Sequence, residues 1–459
     1  MIVPALAIAL LLALDAPVNA QQPAAPVATS AEDPMLAPVP RAKTEIATWA
    51  NALSHVRARS TDLRIAMDEV LRAEGQQRVA LAGALPQING TGANTQNLIT
   101  NDARVASGLG PGGVPITSTV TVPEPNFFSG SAGAVQPVLA IRAWYGIGTA
   151  SVARDVAQLT LEETKRVISI SVASAIVGVV TAERIAELNR IGLRNSFQRL
   201  DLATRKSLLG GATGLDVVRA RQDVESARAV LVAGDESLRR AREALGLALG
   251  LPEAVGVTAG VSIDGLEAAT RASCPAVPTL LERPDLRASK TQTVLAHRFV
   301  NDVKNQFFPI ITLQSNVAST TIDTGPAPNT TWNVLGVLTV PIWDGGARYG
   351  NLRSTEAQEL QAGERFTALQ RNATIEVVQA RRGVSVTEVR RQVAAAQRDL
   401  ALEADRLVRL TYQEGRATSL ELVVAAQALR EVETNLALRD FELVRARVIA
   451  ALAQSSCQW

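Results

Sequence analysis

The sequence predicts a mostly α-helical chain built from one unit written twice, each copy a long helical hairpin interrupted by a pair of β-strands. Three observations carry that reading. The phrase GGATGLDVV, beginning at Gly210, returns as GRATSLELV at Gly415, 205 residues later in a chain of 459. Apolar residues after each phrase fall alternately three and four apart, the 3.5-residue period of helices packed as a coiled coil. Between two prolines in each half the period drops to 2, the signature of strands.

Composition agrees and excludes other classes. Aromatic residues make up only 3%, while Ala, Leu, Val, Arg and Glu dominate, as in long helices. The 46 basic and 44 acidic residues nearly cancel to +2, so no basic stripe for nucleic acid is expected. Two histidines (His55, His297) and two cysteines (Cys274, Cys457) are too few and too scattered for a metal centre or a nucleophile–base–orienter set. We therefore expect no enzyme activity, no cofactor and no metal.

The first twenty residues, MIVPALAIALLLALDAPVNA, read as an export signal with a cut after Ala20, although no Lys or Arg precedes the apolar run. Gln21 rather than Cys follows the cut, so no lipid attachment is expected there. Residues 21–42, rich in Pro and Ala, read as a flexible lead-in. Farther on, VISISVASAIVGVV, starting at Val167, is too short and too serine-rich for a spanning helix and reads as a packed helical segment.

The duplication extends outward from the two phrases. The seam Leu422, Ala425, Leu429, Val432, Leu436, Arg439, Leu443, Ala446, Ala450 has a counterpart in Val217, Ala220, Val224, Ala227, Leu231, Gly234, Leu238, Ala241, Leu245. Upstream, Asp62-Leu63-Arg64 matches Asp285-Leu286-Arg287, and Pro86 matches Pro309. Fifty-one residues separate Pro86 from Pro137 but only 32 separate Pro309 from Pro341, which leaves 19 extra in the first half. They fall in NLITNDARVASGLGPGGVPITSTVTVPEPN, which reads as a loop; its GLGPGG lacks the Lys-Ser/Thr of a phosphate loop.

Between the prolines, Ile311, Leu313, Val317, Val334 and Leu338 alternate with Thr312, Gln314 and Asn333. In a membrane barrel the first set faces lipid and the second the lumen, while an ordinary soluble hairpin gives the same alternation. Phe127, Phe128, Trp332 and Trp343 sit near strand ends, where an aromatic girdle would lie. The long helices are expected at about 145–209 and 347–414, with Gly192 a candidate bend in the first. The expected organisation is a signal peptide (1–20), the lead-in (21–42) and a first repeat over 43–250, with strands near 87–97 and 126–136 and a tip at 209–216. A linker (251–282) follows, then a second repeat over 283–455 with strands near 310–318 and 331–341 and a tip at 413–421, and a tail (456–459).

VPIWDGGARYGNLRSTEAQEL (from Val340), DLRIAMDEVLRAEGQQRVALAGALPQI (from Asp62) and YQEGRATSLELVVAAQ (from Tyr412) resemble passages of the TolC-type outer membrane factor family. That resemblance implies a homotrimer in the outer membrane of a Gram-negative cell, each chain lending four strands to a shared twelve-stranded β-barrel and its hairpins to a periplasmic tunnel. It implies passive passage through an exit duct for an efflux pump or a type I secretion system. The partners it implies are outer-membrane lipid, a periplasmic adaptor (membrane fusion protein) and an inner-membrane transporter. A periplasmic adaptor or coiled-coil scaffold without a barrel is the alternative, but such a protein would usually carry one hairpin rather than two.

The resemblance also implies site residues. Tyr412, three before the tip glycine Gly415, and Glu421, six after it, fit the family's gate spacing, as Asp216 does after Gly210. The family's tip arginine is displaced by one, to Arg416, and Val424 replaces a second pore carboxylate, so the mouth should be less cation-selective. The residues themselves leave a plainer reading open: Gly210 and Gly415 reverse the chain, Thr213 and Thr418 cap the next helices, and Asp216 and Glu421 suit their positive ends. Cys274 in the linker and Cys457 in the tail should converge at the equatorial belt that the family implies. A disulfide and two separate thiols are the alternatives there.

Overall fold

The computed structural model describes residues 33–258, 263–322 and 328–459. The expected signal peptide and the first part of the lead-in lie outside the described residues. The described chain divides into two compact units, one within residues 40–185, 235–399 and 432–459, the other of residues 33–39, 186–234 and 400–431.

The larger unit opens with β1 (Thr44–Ile46), α1 (Trp49–Arg59) and α2 (Thr61–Ala82). Ser60 caps α2, its hydroxyl accepting from the Leu63 amide at 3.3 Å. Strands β2 (Gln87–Gln96), β3 (Asn101–Leu109), β4 (Pro115–Val122) and β5 (Asn126–Leu139) precede the 68-residue helix α3 (Ile141–Leu208). Then come α4 (Gly214–Ala248), β6 (Val255–Val257), α5 (Ile263–Ser273), α6 (Pro284–Lys304), β7 (Ile310–Thr320), β8 (Thr330–Thr339), α7 (Ala347–Gln413) and α8 (Ser419–Leu452). The period-3.5 seams become buried or half-buried faces of α4 and α8, as apolar stripes at that spacing require.

Four strands form one antiparallel sheet in the order β2-β5-β7-β8, which leaves β2 and β8 as open edges. Pairing places Ile311 opposite Leu338, Leu313 opposite Gly336 and Val317 opposite Trp332 on one face. Thr312, Gln314 and Asn316 lie on the other with Asn333, joined by the apolar Val337 and Leu335. The face continues across β5 and β2, where Ile88 lies opposite Ala134 and Gly90 opposite Ala132.

The stretch between β2 and β5 departs from its loop reading. It contains the β3–β4 hairpin, turned at Gly112 and Gly113, which both have positive φ. Gly110, Pro111, Gly112 and Gly113 cluster in that turn, while β4 alternates β-branched Ile116, Val120 and Val122 with Thr117, Thr119 and Thr121. Gly192 lies within the unbroken run of α3. It clears a path: a Cβ there would lie 2.7 Å from Cδ of Arg430.

The core of the larger unit joins Ile46, Leu53, Val56, Leu245, Val255 and Leu452 with Ile168, Val172, Ile176 and Val179 of the apolar α3 segment. The C-terminal tail is threaded into this core. The Val277 amide donates to the Gln454 carbonyl, Ser456 to Pro275 and Gln458 to Ser273, while Trp459 Nε1 donates to Ser169 Oγ at 2.9 Å. Buried Arg166 and Arg283 donate to the carbonyls of Leu452 and Ala453, which lie at or just past the end of α8. A disulfide joins Cys274 to Cys457 across 183 residues of sequence.

Closing so long a loop removes conformational freedom from the unfolded chain. Replacing both cysteines by serine should cost about 2–5 kcal/mol, read as an earlier loss of helical signal on heating or in denaturant. An unchanged midpoint would mean that the tail contacts alone fix this region.

Candidate functional site at the hairpin tips

In the smaller unit two hairpin turns lie side by side. Gly210 (φ 77°) and Gly415 (φ 80°) take the left-handed conformation that ends α3 and α7, with the Gly211 amide donating to Lys206 and the Arg416 amide to Thr411. Each next helix starts with the same reciprocal cap. The Thr213 amide donates to Asp216 Oδ2 at 2.8 Å while the Asp216 amide donates to Thr213 Oγ1 at 3.3 Å. Thr418 and Glu421 repeat this at 2.7 and 3.2 Å. Two orphan helix donors are satisfied at each start, with a carboxylate at the positive helix end. The capping reading of Asp216 and Glu421 therefore describes their geometry in this chain.

Asp216 does more than cap. Its other oxygen accepts from the hydroxyl of buried Ser419, which ties the first tip to the second. These hydrogen bonds, Ser419's first and then those of Thr213, hold the Asp216 carboxyl below the usual range. Backbone and hydroxyl donation from Thr418 lowers Glu421 likewise. Tyr412 is buried, and burial with the nearby Asp216 charge raises its phenol. Lys206 lies 4.0 Å from the Tyr412 ring centroid and donates to the Tyr412 carbonyl at 2.6 Å. Arg416 stands apart, its side chain 81% exposed and 4.0 Å from Glu414.

The structure thus brings Asp216, Ser419, Tyr412 and Lys206 together and leaves Arg416 on the surface. Lys206 was not legible as a site residue, since its contact spans 206 residues and needs both hairpins in place.

A second set of charges lies farther along the helices. Asp223 of α4 is completely buried and holds two arginines, Arg199 of α3 at 2.6 Å and Arg430 of α8 at 2.7 Å. Burial alone would push its carboxyl up, but donation from Arg430 and the Arg199 charge outweigh it and hold it low. Its position in the repeat falls on Ala428, so no duplicated motif marks it. The only sequence signal is an acidic residue beside seam position Val224. Near the same hairpin, Met35 and Leu36 pack on Leu193, Val224, Ala227 and Leu231, and Asp33 pairs with Arg228 at 2.8 Å. This end of the lead-in is docked, contrary to the flexible reading, because a short turn capped by Asp33 presents two apolar side chains to the groove.

Residues 52–251 and 278–455 match the outer membrane efflux protein family. The chain is similar to the cation efflux system protein CusC of Escherichia coli K12, 26% identical over 404 residues covering 86% of this chain and 82% of that one. It is also similar to the probable outer membrane lipoprotein SilC of Salmonella typhimurium, 27% identical over 44% of this chain and 45% of that one. A crystal structure of CusC shares the fold, with a TM-score of 0.73 and 21% identity over 91% of this chain and 97% of that chain.

Breaking the buried cluster at its centre should be costly. Asp223→Ala leaves Arg199 buried without its anion and should destabilise the tips by about 3–5 kcal/mol, whereas replacing all three charges by apolar residues of similar size should recover most of that. Hydrogen exchange of amides 193–231 reads both. Because the carboxyls of Asp216, Asp223 and Glu421 are lowered by folding, their stabilisation is full above the unfolded value near pH ~4 and is lost as pH falls through the folded values. Protection at the tips should fall in acid before that of the larger unit, and a uniform loss would contradict this.

Proposed function

This chain belongs to the outer membrane efflux protein family, and we propose that three copies form the exit duct of a tripartite efflux pump or a type I secretion system. It works in the outer membrane, in transport out of the cell. The observation that carries the trimeric reading is the four-stranded sheet with two open edges and one largely apolar face. Hydrocarbon offers no partner for the backbone groups of β2 and β8, and four strands are too few to close on themselves. Three copies paired β8 to β2 make a closed twelve-stranded barrel, and cyclic symmetry satisfies every edge at once.

The helices support the same assembly. Leu360, Ile375, Val378, Val389, Val393 and Leu400 of α7 are all more than half exposed in the single chain. Such a stripe needs neighbours, and a threefold tunnel supplies them. Passage through the duct is passive, so energy and most cargo choice belong to an inner-membrane transporter joined through a periplasmic adaptor. CusC is a cation efflux protein by name, and the same cargo here is a proposal of that likeness alone.

The tips are the proposed gate. Asp216 and Ser419 bind the two turns of one protomer, Lys206 clamps Tyr412, and exposed Arg416 is free to reach across the mouth. Each exposed ion pair contributes only ~0–1 kcal/mol, but threefold repetition sums to a few, a balance that adaptor docking can overturn.

Two measurements test this. Leu338→Arg should impair assembly, by ~2–4 kcal/mol at the membrane midplane, while Asn333→Arg on the opposite face should assemble normally; equal behaviour would refute the barrel facing. In planar bilayers, replacing Asp216, Tyr412 and Arg416 together should raise conductance markedly. Unchanged conductance in a trimer of normal stability would leave them as structural residues of the turns.

A further inference from the structure

Among the described residues the β3–β4 hairpin has no counterpart in the second half of the chain. The ladder between β2 and β5 ends at the pair Gln96–Asn126, continues through the Asn97 amide donating to Pro125, and resumes as eight further pairs of β3 with β4. It lies at the end of the sheet away from the helices, since α2 leads into the start of β2 and β5 runs directly into α3. The neighbouring strand β7 stops at Thr320, which pairs with Ser129.

The hairpin is two-faced. Its register puts Ala103 opposite Val120 and Asn101 opposite Val122 on one side. Asp102 faces Thr121, and Arg104 faces Thr119, on the other, where Thr121 Oγ1 donates to Asp102 Oδ1 at 2.9 Å. Val120 and Val122 are both exposed, as are Leu98 and Ile99 at the hairpin's base. A two-stranded ribbon is marginal unless its apolar side is covered.

In the barrel reading, lipid does not reach it. The ten residues of β2 span about 34 Å along the strand, which at a barrel tilt near 40° rises ~25 Å, the height of the apolar band. Eight more pairs carry the hairpin beyond the hydrocarbon. In the trimeric barrel reading the same hairpin of each neighbouring copy is held around the same rim, continuous with the β8–β2 contact between copies.

We propose that the β3–β4 hairpins of adjacent copies pack through the face of Ala103, Val120 and Val122, forming a collar of chain on chain at the outer rim with the threonine faces turned to water. This rests on the trimeric barrel reading. The collar narrows the exit and adds a contact between copies that barrel and tunnel do not supply.

Facing is the test. The chain's two cysteines are joined to each other, so one new thiol is unique. Val120→Cys and Thr119→Cys put that thiol at adjacent positions on opposite faces. Each is treated on intact cells with a short bis-maleimide, and oligomer size is measured on the same samples by native electrophoresis. Val120→Cys should yield a dominant linked dimer and Thr119→Cys only a trace, both in normal trimers. Normal trimers in which Val120→Cys fails to link, or links no better than Thr119→Cys, would overturn the collar and leave the barrel standing. Absence of trimers in the unaltered protein would instead remove the barrel reading, and the collar with it.

Discussion

An unpaired strand edge presents a row of backbone N–H and C=O groups, and hydrocarbon satisfies none of them. This chain places four strands in its sheet and leaves two such edges, β2 and β8. Much else follows from that constraint. In the barrel proposed above, a chain that cannot close its own sheet closes it with copies of itself. The apolar residues left bare along α7 are the helical counterpart of the open edges. Both are deficits of the single chain that the proposed ring of chains would remove.

Along the helical hairpins, polar chemistry does work that apolar packing does not. Seams rich in Ala and Gly let helices approach closely but specify register weakly, since small residues offer little to interlock. Asp223 adds the missing direction, because one buried carboxylate accepts from arginines on two other helices and tolerates no slip between them. A buried charge of this kind is a poor source of net stability and a better source of uniqueness, with register the best-attested use. The Asp216–Ser419 tie at the turns is of the other kind, a part-buried hydrogen bond between two turns, which would part on opening in the gate proposed above.

The larger unit shows how the ends of the helical part are secured. Arg166 and Arg283 take the carbonyls of Leu452 and Ala453, and the tail beyond α8 hydrogen-bonds to the segment after α5 before the disulfide closes it. Orphan carbonyls at a buried helix end need such partners.

What the sequence determined by itself was everything governed by local period and punctuation. Alternation in Ile311–Val317 marked strands, the 3–4 seams marked paired helices, and Gly210, Gly415, Thr213 and Thr418 marked the turns and caps, because each property acts within a few residues. The β3–β4 hairpin was lost to its glycine-rich turn, since composition averaged over the stretch hides a strand pair whose signal is the cross-strand register. Gly192 shows a related limit: a bend and a cleared path both call for glycine, and the arrival of Arg430 from α8, which reveals the path, is not written near it in the sequence. The Asp223 cluster, the Lys206 clamp on Tyr412 and the docking of Met35 and Leu36 belong wholly to tertiary structure. Their partners lie from 24 to 207 residues apart in the cluster and 206 apart in the clamp, so only packed helices bring them within hydrogen-bond reach.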